Sequence, residues 1–468
     1  MSSSEDFRDT IATVDEDGKK VRIFPKRVKG KYNTARRWVG YFLLLFLFAA
    51  PWIKVGGQPL LLLDVLGRKF SIFGAIFNPS DSFLFALAMI IGVVSVIVFT
   101  VAFGRIFCGW ICPQTIFLEQ VYRRIEYWID GDRNQQMRLK RMGWTAEKIR
   151  KRVLKNIIFY FIAFLVSNVF LQYLIGSDKW LQFVTDGPAQ HLGTFTALIV
   201  FSVLFYLVFA WFREQACIAV CPYGRLQGVL LDKSSIVILY DWIRGEPRKK
   251  GKRKETDPKV GDCVDCGLCV QVCPTGIDIR NGTQLECVNC TACIDVCDEV
   301  MEKVDLPKGL IRFDSTHNVE SGNKRVMTPR LYAYIGILLA LLSFFTFLVS
   351  TRSEAEVIWV RLPGKLYEKT DSTYINAYNY TVLNKTDQAK ELEILLESHE
   401  GFIIFTGGSV ITLDPEEIVH GAAVMHLYKD QVKQQKEPVK LIVKEGDVVI
   451  DEITTNFMGP RPRRGTRN

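Results

Sequence analysis

Five stretches of this chain run apolar for about the length that crosses a bilayer core, roughly 20 residues. They lie at 38–53, 82–103, 156–175, 194–212 and 331–350, and each predicts a membrane helix. The first is the shortest and contains Pro51. It is not expected to be a cleaved leader, because the polar stretch before it is too long and carries acids, and no Ala-x-Ala site follows. Beyond Glu354 the period changes. Short alternating runs, "VIWVRL", "YINAYNYTVLN", "ELEILLES", "FIIFTG", "SVITL", "AAVMHLY" and "VKLIVKEGDVVIDEITTNF", are separated by turn residues at the spacing of an all-β sandwich. Near the other end, "TVDEDGKKVRIF" predicts a hairpin turning at Asp15 to Gly18.

The pattern divides the 468 residues into a polar segment (1–37), a four-span membrane core (38–230), a polar cysteine-rich part (231–330), a fifth span (331–350) and the sandwich (351–468). This is a multi-domain membrane protein, with a five-span α-helical bundle, a ferredoxin-like segment and a C-terminal all-β domain. A hydrophobic content of 49% beside 23% charged residues fits membrane helices joined to sizeable water-exposed parts.

The net charge of +9 raises nucleic acid as a partner, but its distribution argues otherwise. Lys and Arg crowd 1–37 and 104–155 and are nearly absent from 54–81 and 176–193. Basic loops stay on the cytoplasmic side, so the N-terminus is expected inside and, after five spans, the C-terminus outside. The charge then reports orientation and attraction to anionic lipid, not nucleic-acid binding.

All 12 cysteines fall between Cys108 and Cys297, on the expected cytoplasmic side, where disulfides are rare. Metal or redox chemistry is the better class. Residues 263–274 read "CVDCGLCVQVCP" and 287–297 read "CVNCTACIDVC". Each is C-x2-C-x2-C-x3-C, the run that wraps a cubane cluster and sends its fourth cysteine to the other cluster. One [4Fe–4S] set is therefore Cys263, Cys266, Cys269 and Cys297, and the other Cys273, Cys287, Cys290 and Cys293. Structural zinc also uses C-x2-C pairs, but duplicate four-cysteine runs fit two cubanes far better. Asp298 stands where proline would follow the second run. With four cysteines each, both clusters are closed and act as a wire. The basic linker "RGEPRKKGKRKETDPKVGD" skirts headgroups, or docks an acidic electron donor.

The remaining four cysteines form two pairs, in "GRIFCGWICPQT" (104–115) and "QACIAVCPYGR" (215–225). Cys108 and Cys112, like Cys217 and Cys221, are four apart and precede proline. On one helix such residues project about 40° apart, and Pro113 and Pro222 end or kink that helix. If the second and fourth spans pack together, four thiolates converge at one depth. Such soft donors select Cu(I), zinc or an iron–sulfur cluster, and a redox-active disulfide is an alternative. Arg105, Arg213 and Arg225 would favour thiolate or else snorkel to headgroups. Cysteines are also common as small buried residues, but two pairs with one spacing and one trailing proline argue for a shared role.

In order along nearly the whole chain, "RIFPKRVKGKY", "FCGWICPQT", "CIAVCPYGRLQ", "CVDCGLCVQVCPTGIDIR" and "CVNCTACIDVCD" resemble the cytochrome c oxidase accessory family, FixG/RdxA (CcoG). The resemblance implies a bacterial inner-membrane protein with two [4Fe–4S] clusters that serves assembly of cbb3-type oxidase. Its implied activity is cupric reductase, Cu(II) to Cu(I) on the cytoplasmic side, with Cys108, Cys112, Cys217 and Cys221 handling the copper. It also implies an immunoglobulin-like fold for the sandwich. Partners would be the bilayer, copper ions, a cytoplasmic electron donor, and oxidase subunits or a copper transporter or chaperone; a homodimer stays open.

Two other classes compete. Quinol-oxidising membrane subunits share both motif types but have four spans and end near the clusters. A redox-sensing scaffold or copper chaperone would use the outer domain without turnover. No Gly-rich dinucleotide fingerprint follows a strand, so nicotinamide or flavin is expected on a separate donor. His420, Met425 and His426, and likewise His191 and His317, are read as strand, loop or surface residues.

Overall fold

The computed structural model describes residues 13, 17, 19, 21–55, 57–64, 69–72, 75–77, 82–251, 260–322, 328–351, 353–386, 388–415 and 417–460. Apart from Asp17, the hairpin turn expected at Asp15 to Gly18 lies outside the described residues, as do residues 252–259 of the basic linker. The chain forms two compact units, one holding most of the chain up to Phe345 and the other Thr346–Asn468 with the short pieces Lys54–Gln58 and Ser71–Asn78.

In the first unit, four helices among the described residues are long and apolar enough to cross a membrane: Phe83–Phe103, Ala146–Ile175, Leu192–Phe212 and Pro329–Ser350. We label the helices α1 (Lys31–Ala49), α2 (Ser82–Phe103), α3 (Ala146–Ile175), α4 (Leu192–Leu207), α5 (Ala292–Lys303) and α6 (Pro329–Ser350). The expected first span lies in α1, but that helix opens with Lys31, Arg36 and Arg37 and gives way at Ala49 to a 3-10 turn, Ala50–Trp52, containing Pro51. Its apolar part is thus too short to rank with the other four.

α3 begins ten residues before the apolar stretch. Thr145 caps it, its hydroxyl accepting from the Lys148 N–H, and the charged first turns are tied to the preceding segment by Lys148 on Lys140 O and Lys155 on Asp130. α3 packs along α4. Phe117, Leu118, Tyr122, Phe159, Val166 and Phe209 form the core there. The Tyr122 ring stacks on Phe209 at 4.8 Å and meets Phe159 edge-on at 4.7 Å.

The cysteine-rich part is organised by an antiparallel strand pair, β1 (Val237–Tyr240) with β2 (Ile311–Asp314). All four residues of β1 are buried. Ile238, Tyr240, Ile279, Ile294, Met301, Leu310 and Ile311 make its core. Asp295 of α5 caps α1, accepting from the backbone N–H groups of Tyr32 (3.1 Å) and Asn33 (2.7 Å).

The second unit is a sandwich of two antiparallel sheets. Its strands are β3 (Ala355–Arg361), β4 (Thr373–Asn384), β5 (Lys390–Leu396), β6 (Gly401–Phe405), β7 (Val410–Leu413), β8 (Ile418–Tyr428), β9 (Lys436–Glu445) and β10 (Val448–Met458). One sheet has the order β6-β8-β4-β3 with Glu368–Lys369 on β4, the other β7-β5-β9-β10. Alternate residues point inward, so Trp359, Tyr378, Leu392, Met425, Leu441 and Phe457 meet in one core. Asn376 joins the sheets, donating to Met458 O (2.9 Å) and accepting from its N–H (3.0 Å).

Candidate functional site

Two cysteine cages. The two runs fold alike because both need the same backbone reversals. Asp265 (φ 47) and Gly267 (φ 63) take left-handed conformations in the first, and Asn289 (φ 53) and Thr291 (φ 68) at the matching positions of the second. These reversals curl each C-x2-C-x2-C loop around a hollow. Cys263, Cys266, Cys269 and Cys297 line one cavity, with Tyr240, Val300 and Leu310 among its apolar walls. Cys273, Cys287, Cys290 and Cys293 line a second, with Ile238, Ile277 and Ile279, and Cys269 borders both. This is the division expected from the sequence, with each run's fourth cysteine crossing to the other set.

Burial pushes the Cys269, Cys287 and Cys297 thiols up to about 12 and Cys290 to about 11. A group bound there must displace protons from thiols that are otherwise neutral. Among the described residues no three His, Cys, Asp or Glu side chains converge as one bare ion would require. Four thiols spaced around an apolar hollow are instead the donor set of an iron–sulfur cubane, and the residues fit that group.

The paired cysteines. The two C-x3-C-P segments share more than spacing. α2 ends before Gly104 (φ 59), and the π turn Val208–Phe212 that continues α4 ends before Arg213 (φ 57). Each positive-φ residue stands four before the first cysteine of its pair. The second cysteines, Cys112 and Cys221, are extended and donate their N–H to the carbonyl five residues back, Phe107 and Ala216, each at 2.9 Å.

This corrects the expectation of two thiols on one α-helical face. A residue before proline is driven out of the helical region. The preceding turns, Ile106–Trp110 and Ala216–Val220, do end just ahead of the prolines, as expected, and Pro113 and Pro222 take the first position of new helices, Pro113–Ile116 and Pro222–Leu230.

The four sulfurs are close enough for their neighbours to raise the titration of Cys108 and Cys217. Burial first, then Cys112, Cys108 and Cys221, push Cys217 up to about 12. Burial pushes Cys108 up to about 11 against the pull of Arg105. Cys108 donates to Gln227 Oε1 at 2.9 Å, and Gln227 Nε2 donates to Thr100 at 3.2 Å. Cys221 Sγ accepts from the Gly224 N–H at 3.4 Å.

Of the three arginines expected to favour thiolate, only Arg105 does so at the site, and burial outweighs it at Cys108. Arg225 is exposed. Arg213 turns away to make a bidentate pair with Glu126 (2.9 and 3.0 Å). Glu126 also accepts from Arg22 at 2.6 Å and lies 3.7 Å from Lys155. Burial alone would raise the Glu126 carboxyl, but Arg213, Arg22 and Lys155 hold it at about 2. Arg123, equally buried, pairs with Glu119 and Glu214 and donates to Pro274 O at 3.1 Å, beside Cys273. This network joins the second C-x3-C-P segment to the second cage.

The first C-x3-C-P segment touches that cage directly. Cys108 packs with Val288 and Cys290. A Cβ on Gly109 would overlap Val288 O and stand 3.0 Å from Asn289 C and O. Arg36 Nε donates to Gly109 O at 2.6 Å. Gln227, Arg36, Gly109 and Glu126 carry no motif of their own. Only the repeated position of Gly104 and Arg213 hints in the sequence that a matched turn precedes each pair.

His420, Met425, His426, His191 and His317 do not converge. Met425 is wholly buried in the sandwich core, whereas His420 bonds Thr381 at 2.9 Å and His426 stacks on Phe402 at 4.5 Å. His191 pairs with Asp186 at 3.2 Å, and His317 bonds Ser321 at 3.1 Å.

Two adjoining cysteine cages, in a chain that also carries membrane-type helices, define an iron–sulfur electron-transfer protein. Comparison with known proteins agrees. A "4Fe-4S dicluster domain" matches residues 212–316, a "4Fe-4S binding domain" residues 85–134, and the "IG-like fold at C-terminal of FixG" residues 345–460. Protein RdxA of Cereibacter sphaeroides is 33% identical over 87% of this chain and 88% of its own length. RdxB of the same organism is 32% identical, over 85% and 87%. The nitrogen fixation protein FixG of Rhizobium meliloti is 29% identical, over 91% and 90%. The chain belongs to the FixG/RdxA family, and it is a membrane-type iron–sulfur oxidoreductase.

Proposed function

We propose that this protein passes electrons from a cytoplasmic donor to Cu(II) at the paired cysteines, supplying Cu(I) for assembly of a cbb3-type cytochrome c oxidase. Cys263, Cys266, Cys269 and Cys297 would hold one [4Fe–4S] cluster, and Cys273, Cys287, Cys290 and Cys293 the second. Bound there, such clusters supply and store one electron at a time.

The observation that carries this reading is the packing of Cys108 against Val288 and Cys290. It sets the second cage beside Cys108, and in this reading the first cage would receive electrons from the donor. Cys108, Cys112, Cys217 and Cys221 supply soft donors that favour Cu(I) over Cu(II). Each Cu(II) consumes one electron from the protein, and the donor replaces it; a thiol that binds copper as thiolate gives up its proton to solvent and regains it when Cu(I) leaves. Gln227 orients the Cys108 thiol, and Arg105 offsets the charge of a thiolate formed when copper binds.

The basic segments 1–37 and 104–155 favour a cytoplasmic position for the cages and the thiol pairs, at an inner membrane. With the apolar half of α1 as a fifth crossing, the sandwich would lie in the periplasm, where it would meet oxidase subunits or a copper chaperone.

The test is catalytic turnover. Under anaerobic conditions, with excess chemical reductant and Cu(II), the holoprotein should form many Cu(I) per chain, trapped by a Cu(I)-selective chelator. Production that stops at the electrons already stored, while reductant remains, would reduce the protein to a carrier or sensor.

A further inference from the structure

A cavity apart from the cysteine sites opens where the segment before α1, the first turns of α1 and the helix Arg123–Ile129 meet. It encloses about 1,580 Å3 of atom-free space, open solvent included. Lys26, Arg27, Lys29, Arg36, Arg37 and Arg124 line it. The lining carboxylate, Glu119, is already engaged by Arg123.

Among the described residues none of the six cations pairs with a carboxylate. Arg36 donates to Gly109 O, Arg37 to the Thr34 hydroxyl and Arg124 to Tyr41 and Gln120, all neutral acceptors. Arg36 is 6% exposed, and its Nη2 has no hydrogen-bond partner. An unpaired buried guanidinium nitrogen is costly, and six cations lining one cavity repel one another, with Glu299 acting on Lys26 and Lys29 only from beyond ion-pairing distance. The N-terminus of α1 does not account for the feature, since Asp295 already caps it.

We infer that this cavity is a binding site for a phosphate-bearing ligand. Guanidinium forks match phosphate oxygens, and several are arrayed here. The walls also offer Pro25, Val28 and the exposed ring of Trp128 to an apolar or aromatic remainder. Val272, Pro274 and Ala292 form another part of the wall, so the ligand lies against the loops that carry Cys273 and Cys290. This site stands independently of copper reduction. Two sources share its chemistry. One is an anionic phospholipid headgroup, since the apolar part of α1 begins at Trp38, just past the cavity. The other is a soluble phosphate compound.

The test uses the full-length holoprotein in neutral detergent, titrated with inorganic pyrophosphate by calorimetry and thermal melting. In parallel, nanodiscs of phosphatidylglycerol with phosphatidylcholine, or of phosphatidylcholine alone, are followed by mass spectrometry of retained lipid. The wild type should bind pyrophosphate and melt higher with it. K29Q/R37Q should bind at least tenfold more weakly, and the control K303Q/K308Q as the wild type does. Phosphatidylglycerol that pyrophosphate displaces identifies the headgroup; pyrophosphate binding without retained lipid identifies the soluble ligand. If K29Q/R37Q loses its clusters, K26Q/R27Q, on exposed side chains, carries the same comparison. Failure of the wild type to bind either probe, or equal binding by the cavity variants, overturns the assignment.

Discussion

Gly109 lies against the carbonyl of Val288 with no room for a side chain between them. Through this contact the first cysteine pair is pressed on the second cage. The glycine sits between Cys108 and Cys112, and the carbonyl between Cys287 and Cys290. Gly109→Ala should therefore force the two loops apart. The expected cost is about 2 kcal/mol, the scale of overpacking, with partial loss of the second cluster while the first persists. Iron and sulfide content, with paramagnetic resonance of the reduced protein, would read this; two intact clusters with unchanged spectra would mean that the contact is slack.

The ion network around Glu126 should make stability fall in acid. Its carboxyl is held at about 2, below the ordinary 4.5. A depressed folded-state value contributes stability that is present above the unfolded value and is lost as pH falls through the folded one. The melting temperature should thus drop between about pH 4.5 and 2. Glu126→Gln should lower it at pH 7 by the equivalent of about 3 kcal/mol, because Arg213 and Arg22 lose their shared counter-charge in a buried place. The variant should also show a flatter acid limb. A parallel shift at every pH would assign the loss to packing.

Gln227 is the acceptor of the Cys108 thiol and is itself fully buried. Gln227→Leu keeps the volume but leaves the thiol and Thr100 short of a partner. A loss of about 1–2 kcal/mol is expected, with both clusters retained and Cu(I) formation slowed. Gln227→Glu, which keeps an acceptor, should recover more of the rate than leucine does. Equal rates for the two variants would remove any positioning role.

The cysteine runs were legible because their chemistry fixes their spacing, and the crossing of Cys297 and Cys273 between cages follows from that spacing. The alternating runs after Glu354 mapped onto the strands because each strand buries alternate residues against a facing sheet. The geometry of the C-x3-C-P pairs was not legible. A four-residue interval reads as one helical face, whereas the proline drives the preceding cysteine extended and starts a new helix. Arg213 was misread for a similar reason: proximity in sequence to Cys217 does not say which way a long side chain turns, and Glu126, 87 residues away, claims it. The start of α3 was missed because its first turns are charged and rest on structure outside the apolar stretch.

In the sandwich, no disulfide joins the sheets, and Asn376 ties them with two hydrogen bonds to Met458. Asn376→Ala should destabilise that unit by about 2 kcal/mol and leave cluster content and copper reduction unchanged. Proteolysis after mild heating, followed by analysis of the released fragment, would report it. A parallel loss of iron would show that the two units depend on each other.

The most direct test of the central claim compares the wild type with a variant in which Cys108, Cys112, Cys217 and Cys221 are all serine. Both are brought to the same cluster content and reduced without oxygen. Cu(II) is then added in a stopped-flow cell, and reoxidation of the clusters is followed together with Cu(I) formation. Wild-type clusters should reoxidise as Cu(I) appears, one electron per ion, while the serine variant stays reduced. Equal reoxidation and equal Cu(I) in both would contradict the assignment of copper reduction to the paired cysteines.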